Sequence, residues 1–166
     1  MFVWPVRVYW EDTDAGGIVF YANYLKFMER ARTEWLRSLG VSQSRLRETT
    51  QTQTGGMFVV ADTQLHYKLP ARLDDQLLVT AQIVKKSRIT LTIAQEITLQ
   101  KISTFPTQNI DSLLLNNEFK DASSPNSSPP SSPSPVVCTG MIRIAWVDAH
   151  SFKPSPIPPH VLEVLQ

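Results

Sequence analysis

Apolar residues recur along the chain with two different periods. Tyr24, Phe27, Met28, Ala31, Trp35 and Leu39 fall three or four apart. That spacing puts them on one stripe of an α-helix. Lys26, Glu29, Arg30, Thr33 and Arg37 cover the rest of its surface. Asn23 suits the N-cap and Gly40 a stop, so the pattern predicts one long helix between them. The remaining runs read as strands. Phe2–Trp10 is rich in Val, Trp and Tyr, and Phe58–Leu69 alternates in part up to Pro70. Gln76–Lys86 carries Leu77, Val79, Ala81 and Ile83 on one face, as a pleated strand requires. Arg88–Gln100 alternates β-branched residues, and Val136–Val147 forms a last long run. A short helix is expected at Gln43–Thr49, and a helical turn at Val161–Leu165 after a proline-rich stretch.

The order is therefore strand, long helix, four strands. Without helices between the later strands there are no parallel crossovers, so the sheet is largely antiparallel. A helix with so wide an apolar stripe needs a concave surface to bury it. The expected fold class is α+β, a long central helix wrapped by a curved antiparallel sheet of about five strands. The 166 residues fit one domain, 1–166. One segment departs from the pattern: of the fifteen residues Asp121–Pro135, twelve are Ser or Pro. Such a stretch has few donors and nothing to bury, and it reads as a flexible insertion at about 104–135.

Composition narrows the function classes. A formal charge of +1 gives no electrostatic footprint for nucleic acid. The single cysteine, Cys138, excludes an internal disulfide framework and a cysteine-based zinc cluster, and its place in a strand pattern suggests a buried, inert thiol. No apolar run is long enough for a transmembrane segment, and the first residues lack a signal-peptide pattern. A soluble, cytoplasmic protein is expected. Gly-rich phosphate loops, Gly-x-Ser-x-Gly and His-Glu-x-x-His are absent from the sequence. His66, His150 and His160 are widely spaced and read as ordinary structural or surface residues.

The one dense polar cluster is Glu11-Asp12-Thr13-Asp14, followed by Ala15-Gly16-Gly17. As a structural feature it is a solvated Asx turn between strand and helix. As a chemical one it sets neighbouring carboxylates beside a backbone that can approach a ligand closely. The helix that follows begins with amides lacking intrahelical acceptors. A carboxylate base or nucleophile and an oxyanion-binding amide would then share one place.

The stretch from Tyr9-Trp10-Glu11-Asp12-Thr13-Asp14 through Gly16-Gly17-Ile18-Val19-Phe20-Tyr21-Ala22-Asn23, continuing into Glu29-Arg30-Ala31-Arg32-Thr33-Glu34, resembles the hot-dog thioesterases of the 4-hydroxybenzoyl-CoA thioesterase family. Pro70-Ala71-Arg72-Leu73-Asp74-Asp75 and Trp146-Val147-Asp148 resemble its YbgC-type branch, the acyl-CoA thioesterases encoded with the Tol–Pal envelope system of Gram-negative bacteria. The resemblance implies hydrolysis of acyl-CoA to an acid and free CoA, with no metal or cofactor. It implies Asp14 as nucleophile or general base and the Tyr21 backbone N–H as the group polarising the thioester carbonyl. Gly16, Gly17 and Val19 would line the substrate, and Lys85, Lys86 and Arg88 would meet the CoA phosphates. On their residues alone those three cations read equally as a solvated hairpin rim. Arg72 is a further candidate, or a partner for Asp74 or Asp75. The family pairs into homodimers or homotetramers with the active site between subunits, and a peripheral link to envelope or phospholipid-synthesis proteins is implied too. Two departures bear on substrate choice: Tyr21 stands where many of the YbgC type have His, and Trp10 where they often have Tyr. The competing class is a non-catalytic hot-dog scaffold subunit, which has no need of Asp14 and Gly16-Gly17. A hot-dog dehydratase would need a His near this loop, and none is there.

Overall fold

Alternating side chains build one five-stranded antiparallel sheet in the computed structural model, which describes residues 1–48, 55–100 and 134–165. The strands are β1 (Phe2–Arg7), β2 (Gly56–Tyr67), β3 (Gln76–Lys86), β4 (Thr90–Leu99) and β5 (Val136–Asp148). Their spatial order is β1-β3-β4-β5-β2, each pair antiparallel, which leaves β1 and β2 as the edges. The bounds of β3 are those its alternation predicts.

Helix α1 (Asn23–Ser38) packs across β1 and β3 with its apolar stripe inward. Phe27, Met28 and Ala31 are fully buried against Leu77 and Val79 of β3, Leu91, Ile93 and Ile97 of β4, and Val137 and Ile142 of β5. Each large side chain so buried contributes about 2 kcal/mol. Gly140 permits the close approach: a Cβ there would sit 2.7 Å from the Met28 sulfur. One amide interrupts this face. Gln95 donates to the carbonyls of Met28 and Thr80, both at 3.1 Å, and accepts from Arg32 Nη1 at 2.7 Å. Burial lowers the Arg32 pKa below its ordinary value, with Glu29 opposing. Every buried side-chain nitrogen and oxygen among the described residues has a partner.

Three expectations change. β1 ends at Arg7, and Trp10–Asp12 forms a 3-10 turn, because the Asp12 carboxylate accepts the Tyr9 amide (2.9 Å) and bends the chain. Asn23 is the first helical residue and not the cap; its side chain serves the loop instead. The short helix α2 covers Gln43–Leu46, while Thr49 lies outside the described residues. Helix α3 (Pro159–Val164) buries Val161. The insertion at about 104–135 falls outside the described residues up to 133, and the chain rejoins where Pro135 accepts the Leu99 amide (2.9 Å). Among the described residues no helix is long and apolar enough to cross a membrane.

Candidate active site

The loop carrying Asp14 is a small hairpin. Thr13 and Val19 form an antiparallel bridge, and Asp14 donates its amide to Ile18 at 2.9 Å. At the tip the Gly17 amide donates to the Asp14 carbonyl (3.0 Å), with Gly17 at φ +71°, a conformation that favours glycine. The Asp14 carboxylate accepts the Gly16 amide (2.8 Å) and is otherwise exposed. The Asx turn is thus real, and it leaves the second carboxylate oxygen facing outward.

The crowding of carboxylates read from the sequence is relieved by orientation. Asp12 is buried, and its side chain faces the Tyr9 amide. Its carbonyl accepts from the Phe20 amide (2.9 Å) and the Asn23 side chain (3.0 Å). Asp12 is therefore a structural anchor, whereas Glu11 and Asp14 are exposed, and of these two Asp14 sits on the hairpin that leads into α1.

Tyr21 follows immediately, exposed and leaning on Phe20 with ring centroids 4.5 Å apart. Among the described residues its amide has no acceptor. The helix start offers no competing anion: α1 has no side-chain cap and no acidic residue in its first turn. Uncapped amides at a helix N-terminus favour negative charge.

The segment is held against residues 67–72. Val19 donates to the Ala71 carbonyl (2.8 Å), Ala71 donates to the Tyr24 hydroxyl (3.1 Å), and Ile18 bridges Arg72. Between them lies an apolar cleft of about 310 Å³, lined chiefly by Ile18, Val19, Tyr21, Tyr24, Tyr67 and Leu69. A larger recess of about 400 Å³, bordered by Gln64, His66, Thr80 and Glu96, opens on the sheet face away from α1. It holds none of the residues around Asp14.

The structure brings Asp14, Gly16, Gly17, Val19 and Tyr21 together. It does not bring Lys85, Lys86 and Arg88 to them. Asp14 sits near the start of β3, through Ile18 and Arg72, and the basic knot sits at its other end. The 11 residues of β3 separate them by about 30 Å within one chain. Lys86 donates to the Leu165 carbonyl. Arg72 pairs with neither Asp74 nor Asp75 through its guanidinium; its amide takes the Asp75 carboxylate (2.7 Å). Cys138 is fully buried, as its place in the strand pattern suggests, and burial pushes its thiol up to about 11, with a hydrogen bond from the His66 backbone opposing.

Tyr67 and Gln95 were not singled out by the sequence. Gln95 had a signal, a lone amide on the Leu91–Ile93–Ile97 face of β4. Tyr67 had none, since its contacts are with residues more than forty positions away.

Comparison with known proteins adds three findings. Residues 16–105 match the thioesterase superfamily family model. The acyl-CoA thioesterase YbgC of Haemophilus influenzae is 45% identical over 96 residues, covering 58% of this chain and 68% of that protein, and the acyl-CoA thioester hydrolase YbgC of Escherichia coli O157:H7 is 45% identical over 97 residues, covering 58% and 69%. Among solved structures, a hypothetical protein from Aquifex aeolicus superimposes over 100% of both chains with a TM-score of 0.72 and 26% identity.

Proposed function

The chain belongs to the thioesterase superfamily, with the hot-dog fold and the hydrolysis of acyl-CoA thioesters that go with it, and we propose that Asp14 and the Tyr21 amide carry the reaction. The observation that carries this reading is the pairing of an exposed carboxylate with a main-chain N–H that has no acceptor among the described residues, on one short loop beside an apolar cleft.

The acyl group enters the cleft, and its thioester carbonyl lies against the Tyr21 N–H. As a base, the Asp14 carboxylate takes a proton from water, whose oxygen attacks the carbonyl carbon; the tetrahedral intermediate then collapses by breaking its C–S bond, and the departing CoA thiolate recovers the proton from Asp14. As a nucleophile, it attacks the carbon itself, expels CoA thiolate and leaves a mixed anhydride that water then opens. Either way negative charge grows on the carbonyl oxygen. An amide aimed at that charge acts more strongly in the transition state than in the ground state. The Gly16 amide on the other Asp14 oxygen fixes the carboxylate's orientation without consuming its reactive face. The lining of the cleft, three Tyr rings with Ile18, Val19, Leu69, Pro70 and one charged residue, Lys68, is mostly apolar and suits an acyl chain or ring.

The active unit is at least a homodimer. Edge strand β2 leaves residues 60–64 exposed along an open side, an unpaired edge that a second copy can cover. A basic knot some 30 Å from Asp14 can serve CoA at that site only from another chain.

Asp14→Asn is the test, read by free-thiol release across acyl-CoA substrates from acetyl to decanoyl and benzoyl. It lowers kcat by about a hundredfold or more with the fold and oligomer intact. Tyr21→Phe retains most activity, because the amide remains. Near-normal turnover in the Asp14 variant on every substrate sinks the assignment.

A further inference from the structure

Two successive peptides flank the Cα of Tyr21, and each is held by a different partner. On the N-terminal side, Phe20 donates to the Asp12 carbonyl (2.9 Å) and accepts the Asn23 amide (2.8 Å), so the plane of the Phe20–Tyr21 peptide is set by backbone bonds. The next carbonyl, that of Tyr21, is different. Among the described residues no backbone amide donates to it, because the first turn begins one residue later with Leu25 donating to Ala22 (3.1 Å). Its partner is a side chain from another element: the hydroxyl of Tyr67, the last residue of β2, donates to it at 3.1 Å.

Tyr67 is well placed for this. Its ring lies against the buried Tyr24, centroids 5.6 Å apart, and Tyr24 is itself fixed by accepting the Ala71 amide (3.1 Å). Partial burial, with smaller contributions from Cys138 and Tyr21, raises the Tyr67 pKa above the ordinary phenol value. The hydroxyl therefore stays protonated, and a donor, at neutral pH.

We propose that Tyr67 is a positioning residue for thioester cleavage: its hydroxyl holds the Tyr21 carbonyl and so keeps the adjoining Tyr21 N–H aimed into the cleft where the acyl group lies. This rests on the reading that the Tyr21 amide polarises the carbonyl. Losing the hydroxyl frees the Tyr21–Ala22 peptide at the centre of the turn that the Asn23 amide closes on the Phe20 carbonyl. A loosened turn weakens the bond that sets the Phe20–Tyr21 peptide, and the Tyr21 N–H loses alignment with an oxyanion whose stabilisation depends on geometry held to fractions of an ångström. The reaction itself gains no group from Tyr67.

The experiment compares Tyr67→Phe, Tyr67→Ala and Asp14→Asn with the parent on the fastest substrate of the same acyl-CoA panel. Tyr67→Phe keeps the ring and the cleft, so KM stays within about twofold while kcat falls about tenfold, less than the hundredfold or more of a donor removed outright. Its pH–rate profile keeps the parent's shape. Tyr67→Ala also removes a wall of the cleft and raises KM. An unchanged kcat in Tyr67→Phe, with Asp14→Asn inactive, overturns the role of Tyr67 alone. An active Asp14→Asn overturns the underlying reading instead. Loss of the alkaline limb of the profile in Tyr67→Phe makes the phenol a proton donor in its own right, and overturns positioning.

Discussion

Asn23 donates its side-chain amide to the carbonyl of Asp12 at 3.0 Å, and the same oxygen accepts the Phe20 amide at 2.9 Å. One carbonyl thus ties the first residue of α1 to the residue that opens the Asp14 hairpin. Both side chains are buried. The consequence is that loop geometry and helix start are one unit, joined through Asn23.

Asn23→Ala removes the bond and leaves the Asp12 carbonyl with one partner. A buried hydrogen bond lost this way costs about 1–3 kcal/mol, visible as a melting temperature lowered by several degrees. Turnover falls with it, because the carbonyl that anchors Phe20, and with it Tyr21, is held by one bond fewer. Asp12→Asn retains an oxygen for the Tyr9 amide, so both quantities move little. Thermal melts and thiol-release assays of the two variants check this; an unaltered melt for Asn23→Ala refutes it.

The adjacent glycines separate two effects that sequence alone lumps together. A Cβ on Gly16 would lie 3.1 Å from the Asp14 carboxylate, whereas one on Gly17 meets nothing within 4 Å but sits at φ +71°. Gly16→Ala therefore displaces the carboxylate and lowers kcat several-fold with little change in stability. Gly17→Ala strains the backbone by about 1 kcal/mol and shows first in the melt. The reverse ranking of kcat and melting temperature contradicts the assignment.

How much of this was legible depends on the range of the interaction. Periodicity placed α1 and β3 because burial of a stripe or a face is a local pattern that the whole core enforces. The β1 boundary was missed at Tyr9-Trp10, where aromatic residues suit a strand but one carboxylate three residues on captures the Tyr9 amide. The site loop was legible as a polar cluster next to a helix. Which of its carboxylates is buried was not, since that depends on Asn23 and Phe20 folding back onto Asp12. Tyr67 and Tyr21 meet only through the tertiary fold, and no spacing in the chain signals them.

Cys138 makes stability depend on alkaline pH. Its thiol is pushed from an ordinary value near 9 to about 11, mainly by burial. The folded chain therefore disfavours the thiolate that the unfolded chain forms readily. This contribution is complete below pH 9 and is lost as pH rises toward 11. Tyr24, also raised by burial, adds in the same direction at the upper end. Urea unfolding at pH 8 and pH 10 shows the decline, and Cys138→Val reduces it. In the native protein at pH 8 the thiol resists iodoacetamide, while the unfolded chain is alkylated; rapid native labelling contradicts the buried, protonated thiol.

The distance between Asp14 and the Lys85–Arg88 knot leads to a test of subunit sharing. Within one chain they lie at opposite ends of β3, about 30 Å apart. If CoA phosphates bound at the Asp14 site meet this knot, each site draws its carboxylate from one chain and its cations from another. Asp14→Asn abolishes turnover, and a chain with Lys85→Glu and Arg88→Glu, which leaves the Lys86–Leu165 bond in place, raises KM several-fold. In a mixed dimer the intact Asp14 of the second variant faces the intact cations of the first. Random mixing in an isologous dimer makes half the molecules mixed, each with one wild-type site, or roughly a quarter of parental activity. Co-expressing the two variants and assaying well below the parental KM reads this directly. Activity well above the average of the two separate variants supports shared sites; simple averaging overturns sharing between the two subunits, and an unchanged KM in the Lys85→Glu, Arg88→Glu chain removes these cations from the CoA contacts.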